Sequence, residues 1–426
     1  VKGYDYYAKI YGFDQKVIDF VSDAENNLSD IFNQVHTIGE ANQIKVIRAF
    51  QDEGVSARHF NPSTGYGYSD DGRDKLSSLF ARVFGAQSAI ASPLIVSGTH
   101  ALALCFFGIL RPLDTLLSVT GSPYDTLAEA IGISGEENKG SLKDFAVSYQ
   151  QIDLMENGEI DHFKLINYLN LDEKIKLVYM QRSRGYGWRH SLSIAKIKET
   201  VKRIKKVRPD VIIMVDNCYG EFCETLEPTD IGADIIAGSL IKNAGGGIAP
   251  TGGYIAGRED LIELIANRLT SPGIGAEVGS YAASYIPFYQ GFYLAPFITA
   301  EAMKGSILTA KVFEQLKFEV MPKATDERSD ITQSIKFNDE KLLLTYIKAI
   351  QKAAVIDSHV EPYPWDMPGY QHPVIMAAGT FIQGSSIELS ADAPVKPPYI
   401  AYVQGGMTYV HHKLGLMTAL QQLKIL

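Results

Sequence analysis

Between residue 75 and about residue 264 the chain keeps switching between helical stretches and short apolar runs. Helical spacing marks 76–84, 101–110 and 193–205, and short apolar runs mark 90–96, 115–119, 176–180, 211–215, 235–237 and 253–256. Such alternation fits few folds, because parallel strands need long crossovers and helices supply them. It predicts an α/β domain with a mostly parallel sheet. Upstream, Ile18, Val21, Leu28, Ile31, Phe32 and Val35 recur at helical spacing, which predicts an N-terminal helical arm whose apolar stripe covers a neighbouring subunit's site. Beyond a Gly/Pro-rich joint at 271–279, a helix-rich stretch runs to Phe318. Segments 330–336, 339–354, 374–381 and 386–389 then read as a smaller α+β domain closed by a helix from about Gly406. At 426 residues the chain exceeds one compact core. The expected division is an arm over 1–55, a large domain over 56–305 and a small C-terminal domain over 306–426.

Charge and cysteine content narrow the function classes. A net charge of −9 argues against a general nucleic-acid binder, which needs basic patches for phosphates. Cys105, Cys218 and Cys223 are an odd set in apolar or motif-bearing stretches, which suits a reducing compartment; Cys218 and Cys223 lack the spacing of a metal site, so no metal is expected. The longest apolar run, 101–110, is too short to span a bilayer. No signal-like segment precedes Tyr4, and a cytoplasmic protein without a membrane partner is expected.

The chemistry gathers where the apolar runs end. Lys242 ends the run from Ala233 and is followed by Gly245, Gly246 and Gly247, read as bare backbone that something bulky can approach. Val211–Val215 ends in Asp216. An amine and a carboxylate at neighbouring strand ends suit pyridoxal phosphate, with Lys242 as the Schiff-base lysine and Asp216 as partner of the pyridinium nitrogen. Ser97-Gly98-Thr99-His100 opens an apolar helix, either as an anion site or as an ordinary N-cap. Tyr124 follows the run 115–119, as a ring to stack on a cofactor or as a half-buried turn residue. Each feature alone has an ordinary reading. All four arriving in the order phosphate loop, aromatic, acid, lysine favour the cofactor. The loop 56–74, with Tyr66, Tyr68 and Arg73, reads as functional from its glycines and aromatic hydroxyls.

These motifs resemble fold-type-I pyridoxal-phosphate enzymes of cysteine and methionine metabolism. The similarity rests on Asp216-Asn-Cys-Tyr-Gly-Glu-Phe, Pro228-Thr-Asp-Ile-Gly-Ala-Asp-Ile-Ile and Ser239-Leu-Ile-Lys242. The runs Gly65-Tyr-Gly-Tyr-Ser-Asp-Asp-Gly-Arg-Asp, Ile95-Val-Ser-Gly-Thr-His-Ala and Gly384-Ser-Ser-Ile-Glu-Leu-Ser-Ala-Asp are closest to the methionine gamma-lyase-like "aluminium resistance" branch. The resemblance implies that Lys242 and Asp216 are catalytic, Tyr124 stacks on the cofactor ring, and Ser97, Gly98, Thr99 and Ser239 bind its phosphate. It also implies a homodimer or homotetramer in which Tyr66 or Tyr68, and Arg73, reach a neighbour's site.

Two departures from that family stand out. Ile241 occupies the place of a hydroxyl before the lysine, and Lys396 stands where a carboxylate-binding arginine is expected. Lysine pairs a carboxylate as a point charge rather than a planar fork. The alternative clamp is the run containing Arg182 and Arg184. The implied activity is a carbon–sulfur lyase performing β- or γ-elimination on a cystathionine-, cysteine- or methionine-type L-amino acid, and these residues do not select between the two outcomes. Rival readings are a threonine-aldolase-like enzyme using His100 and a cofactor-bound stress protein with little turnover.

Overall fold

In the computed structural model, which describes residues 6–367, 370 and 372–426, two helices lead the chain: α1 (Gln15–Asn26) and α2 (Ser29–Asp52). The large domain follows as α3 (Asp71–Val83), β1 (Ser88–Ser92), α4 (Gly98–Ile109), β2 (Thr115–Ser118), α5 (Asp125–Ile131), β3 (Ser148–Gln151), α6 (His162–Leu171), β4 (Ile175–Gln181), α7 (Ile194–Val207), β5 (Ile212–Asp216), β6 (Ile235–Ser239), β7 (Gly253–Gly257) and α8 (Glu259–Leu269). Its seven strands lie in the order β1-β7-β6-β5-β4-β2-β3. Only β7 opposes the rest, pairing antiparallel with both β1 and β6. Helices bury both faces, so β2, β5, β6 and β7 are buried throughout, which explains their continuous apolar sequence. The helix signals work locally as well. Ser193 caps α7 by accepting from the Lys196 amide, and Ile197, Val201 and Ile204 face the core at spacings of four and three.

The 30-residue α9 (Ile286–Gln315) runs unbroken through residue 305 and leads into the second sheet. That sheet comprises β8 (Glu319–Met321), β9 (Gln333–Lys336), β10 (Val374–Ala377), β11 (Ser390–Pro394) and β12 (Ile400–Gln404), all antiparallel in the order β10-β11-β12-β9-β8. Helices α10 (Glu340–Ala353) and α11 (Tyr409–Leu423) complete the small domain.

Two sequence expectations change here. The apolar stripe of α1 is not free to cover a neighbour: Val17, Ile18, Val21 and Ala24 are buried in one core with Leu308 and Val312 of α9 and Leu416 and Leu420 of α11. The segment 386–389, read as an element of the small domain, is a bend, and the strand it enters begins at Ser390. Among the described residues, no helix is long and apolar enough to cross a membrane.

Candidate active site

Strand register brings the chemistry together. Gln181 at the end of β4 pairs with Asp216 at the end of β5, and Asp216 pairs in turn with Ala237 of β6, which ends two residues later at Ser239. Loops leaving these carboxyl ends bound a cavity of about 310 Å3, where α/β sheets generally place their ligands. Ser97, Gly98, Thr99, Tyr124, Asp216, Ser239 and Lys242 all line it. The small domain closes the other side with Met376, Ser385, Asp392, Tyr402 and Gln404. A larger hollow of about 650 Å3, bounded by Arg73, Arg82 and Val278, includes none of Lys242, Asp216 or Tyr124.

The anion end is built by α4. Ser97 caps the helix by accepting from the His100 amide at 3.1 Å, and the N–H groups of Gly98 and Thr99 have no intrahelical acceptor. A Cβ on Gly98 would lie 3.3 Å from Cys218 Sγ and 3.4 Å from Ser239 Cβ, so glycine keeps this cradle open. The donors and the helix dipole suit a phosphate.

Asp216 is buried, with Oδ1 accepting from the Cys218 amide at 3.1 Å and Oδ2 from the Tyr179 hydroxyl at 3.3 Å. Burial raises its pKa, while the Lys242 charge and these donors oppose the rise. A protonated ring nitrogen delivered to it would restore a full ion pair. Lys242 Nζ lies 4.1 Å from the centroid of the Tyr219 ring. Tyr219 has φ 70°, a left-handed backbone that costs a non-glycine residue energy and that turns the ring back over the lysine. Burial works against the Lys242 charge, but Cys218, Tyr219 and Asp216 outweigh it and raise the pKa. Tyr124 hydrogen-bonds the Tyr370 hydroxyl at 2.7 Å. Ser385 Oγ and Gln181 Oε1, both on the cavity wall, are buried without partners, as expected where a polar ligand is to supply them. The donor set therefore fits pyridoxal phosphate: amine, acid, aromatic ring and helix N-terminus.

Other residues singled out from the sequence lie elsewhere. Arg182 is fully buried away from the cavity, with its guanidinium 3.3 Å from Glu227, 3.0 Å from Glu224 and 2.7 Å from Asn217 Oδ1. Arg184 is held by the Met321 carbonyl at 2.6 Å and Asp330 at 3.2 Å. Neither guanidinium is available to a substrate carboxylate, because buried carboxylates already occupy both. Lys396 borders an adjoining groove of about 450 Å3 with Asp125 and Trp188, separated from the cavity by Tyr186, Tyr370 and Tyr402. Arg73 donates to the carbonyls of Gly67 and Gly279, and Tyr66 and Tyr68 are 74% and 66% exposed, outside this chain's own cavity. His100 also stays outside, its Nδ1 accepting from the Val96 amide at 3.2 Å. Ile241 does line the cavity, as an apolar contact.

The glycines after Lys242 serve a different purpose from the one expected. A Cβ on Gly245 would sit 1.6 Å from the Leu240 carbonyl oxygen, one on Gly246 2.3 Å from the Gly291 carbonyl oxygen, and one on Gly247 2.3 Å from Met407 Sδ. The chain itself fills the space read as room for a ligand. Conversely, sequence reasoning assigned no role to Tyr186, Tyr219, Asp392, Tyr402 or Gln404, all on the cavity wall. Their signals were the aromatic run after β4 and the Gly384-Ser385-Ser386 turn before β11. Among the described residues, no cluster of three His, Cys, Asp or Glu could hold a metal ion.

Known proteins resemble this chain. The Bacillus subtilis protein YnbB, uncharacterised, is 49% identical over 94% of this chain and 95% of its own. The crystal structure of a carbon–sulfur lyase involved in aluminum resistance from Clostridium novyi NT is 52% identical, with a TM-score of 0.95 over 99% of both chains. The pyridoxal-5'-phosphate dependent protein YhfS of Escherichia coli is 15% identical, with a TM-score of 0.61 over 89% of this chain and 95% of its own. At that identity the likeness is one of fold, the fold-type-I architecture. The sequence model of the family described as methionine gamma-lyase matches residues 17–424, nearly the whole chain with its cavity, and the protein belongs to that family.

Proposed function

We propose that the protein is a pyridoxal-phosphate-dependent carbon–sulfur lyase that carries out β- or γ-elimination on a sulfur-containing L-amino acid of cystathionine, cysteine or methionine type. The observation carrying this reading is the convergence of Lys242, Asp216, Tyr124 and the α4 N-terminus on one cavity. Pyridoxal phosphate, when bound, supplies an aldehyde for the substrate amine and an electron sink for a carbanion at Cα. Ser97, Gly98, Thr99 and Ser239 would hold its phosphate, Asp216 would keep its ring nitrogen protonated, and Tyr124 would pack against the ring. Lys242 is the one amine on the cavity wall among the described residues, so it carries two tasks. It would hold the aldehyde, and its amine would take the Cα proton of the bound substrate.

No arginine, and no lysine besides Lys242, lines the cavity among the described residues. A phosphate and a substrate carboxylate need cations, so we assign them to a second copy in a homodimer or homotetramer, contributed with Tyr66, Tyr68 and Arg73. An aldolase reading loses its acid–base histidine, because His100 is engaged outside the cavity. The deciding experiment incubates the cofactor-loaded protein with L-cystathionine and identifies the keto acid by mass spectrometry. Pyruvate marks β-elimination and 2-oxobutyrate γ-elimination. Silence from both cystathionine and L-methionine, with the cofactor bound, would turn the reading toward a cofactor-binding stress protein.

A further inference from the structure

The cavity wall holds a second carboxyl group. Asp392 comes from β11 in the small domain, across the domain boundary from Lys242, and its Oδ2 accepts from the Tyr186 hydroxyl at 2.8 Å. Asp216 and Asp392 are the only carboxylates lining the cavity among the described residues. Their settings differ. Asp216 is pinned by a backbone amide and a phenol at the end of β5, whereas Asp392 has no ion pair among the described residues and opens onto the space a substrate would fill. A carboxyl without a counter-ion, on a partly desolvated wall, favours its neutral, proton-carrying form. Burial pushes Asp392 up to about 6, with the Tyr186 and Gln404 hydrogen bonds and the Lys242 charge acting against the rise.

Eliminating a sulfur group places a particular demand on such a wall. Lys242 is occupied with the proton leaving Cα, yet the departing sulfur carries away an electron pair and must be neutralised on the far side of the substrate. On the reading of a carbon–sulfur lyase, we propose that Asp392 is the general acid that protonates the departing sulfur, oriented by the Tyr186 hydroxyl. In β-elimination the Cα–H bond breaks with its proton going to Lys242 Nζ. The electron pair becomes the second Cα–Cβ bond, the Cβ–S bond breaks with its pair going to sulfur, and that pair takes the Asp392 proton. The products of the step are a thiol and the Asp392 carboxylate, which water reprotonates when the thiol leaves. The transfer runs downhill, since an alkyl thiol of the cysteine type has a pKa of about 8.5.

The groups that face Asp392 are Tyr124, Tyr186, Tyr219, Tyr370, Tyr402 and Lys242. Burial raises all five phenols, so they stay neutral while Asp392 titrates.

The test compares holoenzyme and Asp392→Asn on two substrates. L-Cystathionine releases a thiol that needs a proton, and β-chloro-L-alanine releases chloride that needs none. General acid catalysis typically contributes about 100-fold or more. The expected result is a loss of that size in kcat on cystathionine, with less than about a threefold change on chloroalanine. Asp392→Glu should restore part of the cystathionine rate. Infrared spectroscopy supplies a readout independent of turnover: a protonated-carboxyl band titrating near pH 6 in the cofactor-free protein and absent from Asp392→Asn. Tyr186→Phe, which removes a donor to the carboxylate, should move that midpoint upward. Equal losses on both substrates, or no loss on cystathionine, would overturn the proposal and leave the lyase reading standing. Wild-type protein inert toward both substrates would remove the lyase reading, and this role for Asp392 with it.

Discussion

Behind Gly238 of β6, Glu221 accepts from the Tyr254 hydroxyl at 2.8 Å and leaves its other oxygen unpartnered. Burial pushes this carboxyl up to about 8. The folded protein therefore keeps a proton that the unfolded chain releases near the ordinary carboxyl value of 4.5. That contribution to stability is complete below 4.5 and disappears as pH rises through about 8. Urea unfolding measured across this range should show the fall, and Glu221→Gln should flatten it; an unchanged slope in the variant would assign the effect elsewhere. Arg182 offers the complementary case. Arg182→Ala leaves Glu227 buried without its cation, which typically costs about 3–5 kcal/mol. Urea titration should register that loss, whereas a raised KM with unchanged stability would return Arg182 to the substrate. Sequence legibility at this scale follows from what fixes each side chain. That Lys242, Asp216 and Tyr124 would meet on one cavity was legible because all three lie at or just beyond the carboxyl ends of strands. Arg182 and Arg184 were misread because a charged run looks the same whether its partners are ligands or distant carboxylates such as Glu227 and Asp330.

Helices α9 and α11 meet where Gly305 faces the ring of His412, and a Cβ on Gly305 would lie 2.3 Å from that ring. The imidazole is buried, bonded to Thr309 Oγ1 at 2.9 Å and the Gly405 carbonyl at 2.8 Å. Gly305→Ala should destabilise by about 1–3 kcal/mol, the range for overpacking a filled core, as read from denaturant midpoints. Burial also lowers His412 to about 4. Its contribution is present above the ordinary imidazole value of 6.5 and is lost as pH falls through about 4, the opposite sense to Glu221. The helices and central strands were readable because apolar spacing and caps such as Ser193 act locally. Polar β3, with sequence Ser-Tyr-Gln-Gln, and β11, with sequence Ser-Ala-Asp-Ala-Pro, were not, since only their neighbours in the sheet make them strands.

For the molecule as a whole, Lys242 is the one cation on the cavity wall among the described residues, and the proposed reading therefore calls for a second copy. Sedimentation should give a mass at least twice the chain's 46.9 kDa. Mixing inactive Lys242→Ala chains with Arg73→Ala chains should recover part of the lost activity, because one site of each mixed dimer then receives an intact lysine and an intact arginine. No recovery after verified subunit exchange would mean that each chain works alone. The order of the two sheets was legible in alternation and breakers, but the docking of α1 onto the C-terminal core was not, because that contact joins residues nearly 400 positions apart. Behind the lysine loop, Gly246 and Gly291 meet backbone to backbone, and a Cβ on Gly291 would lie 2.2 Å from the Gly245 carbonyl oxygen. Neither side can gain a methyl group unless the other retreats, and the loop side begins one residue after Lys242. Lineages that keep the lysine in use should therefore hold both glycines fixed, and a lineage that has abandoned the chemistry should show it first as drift at Gly246 and Gly291.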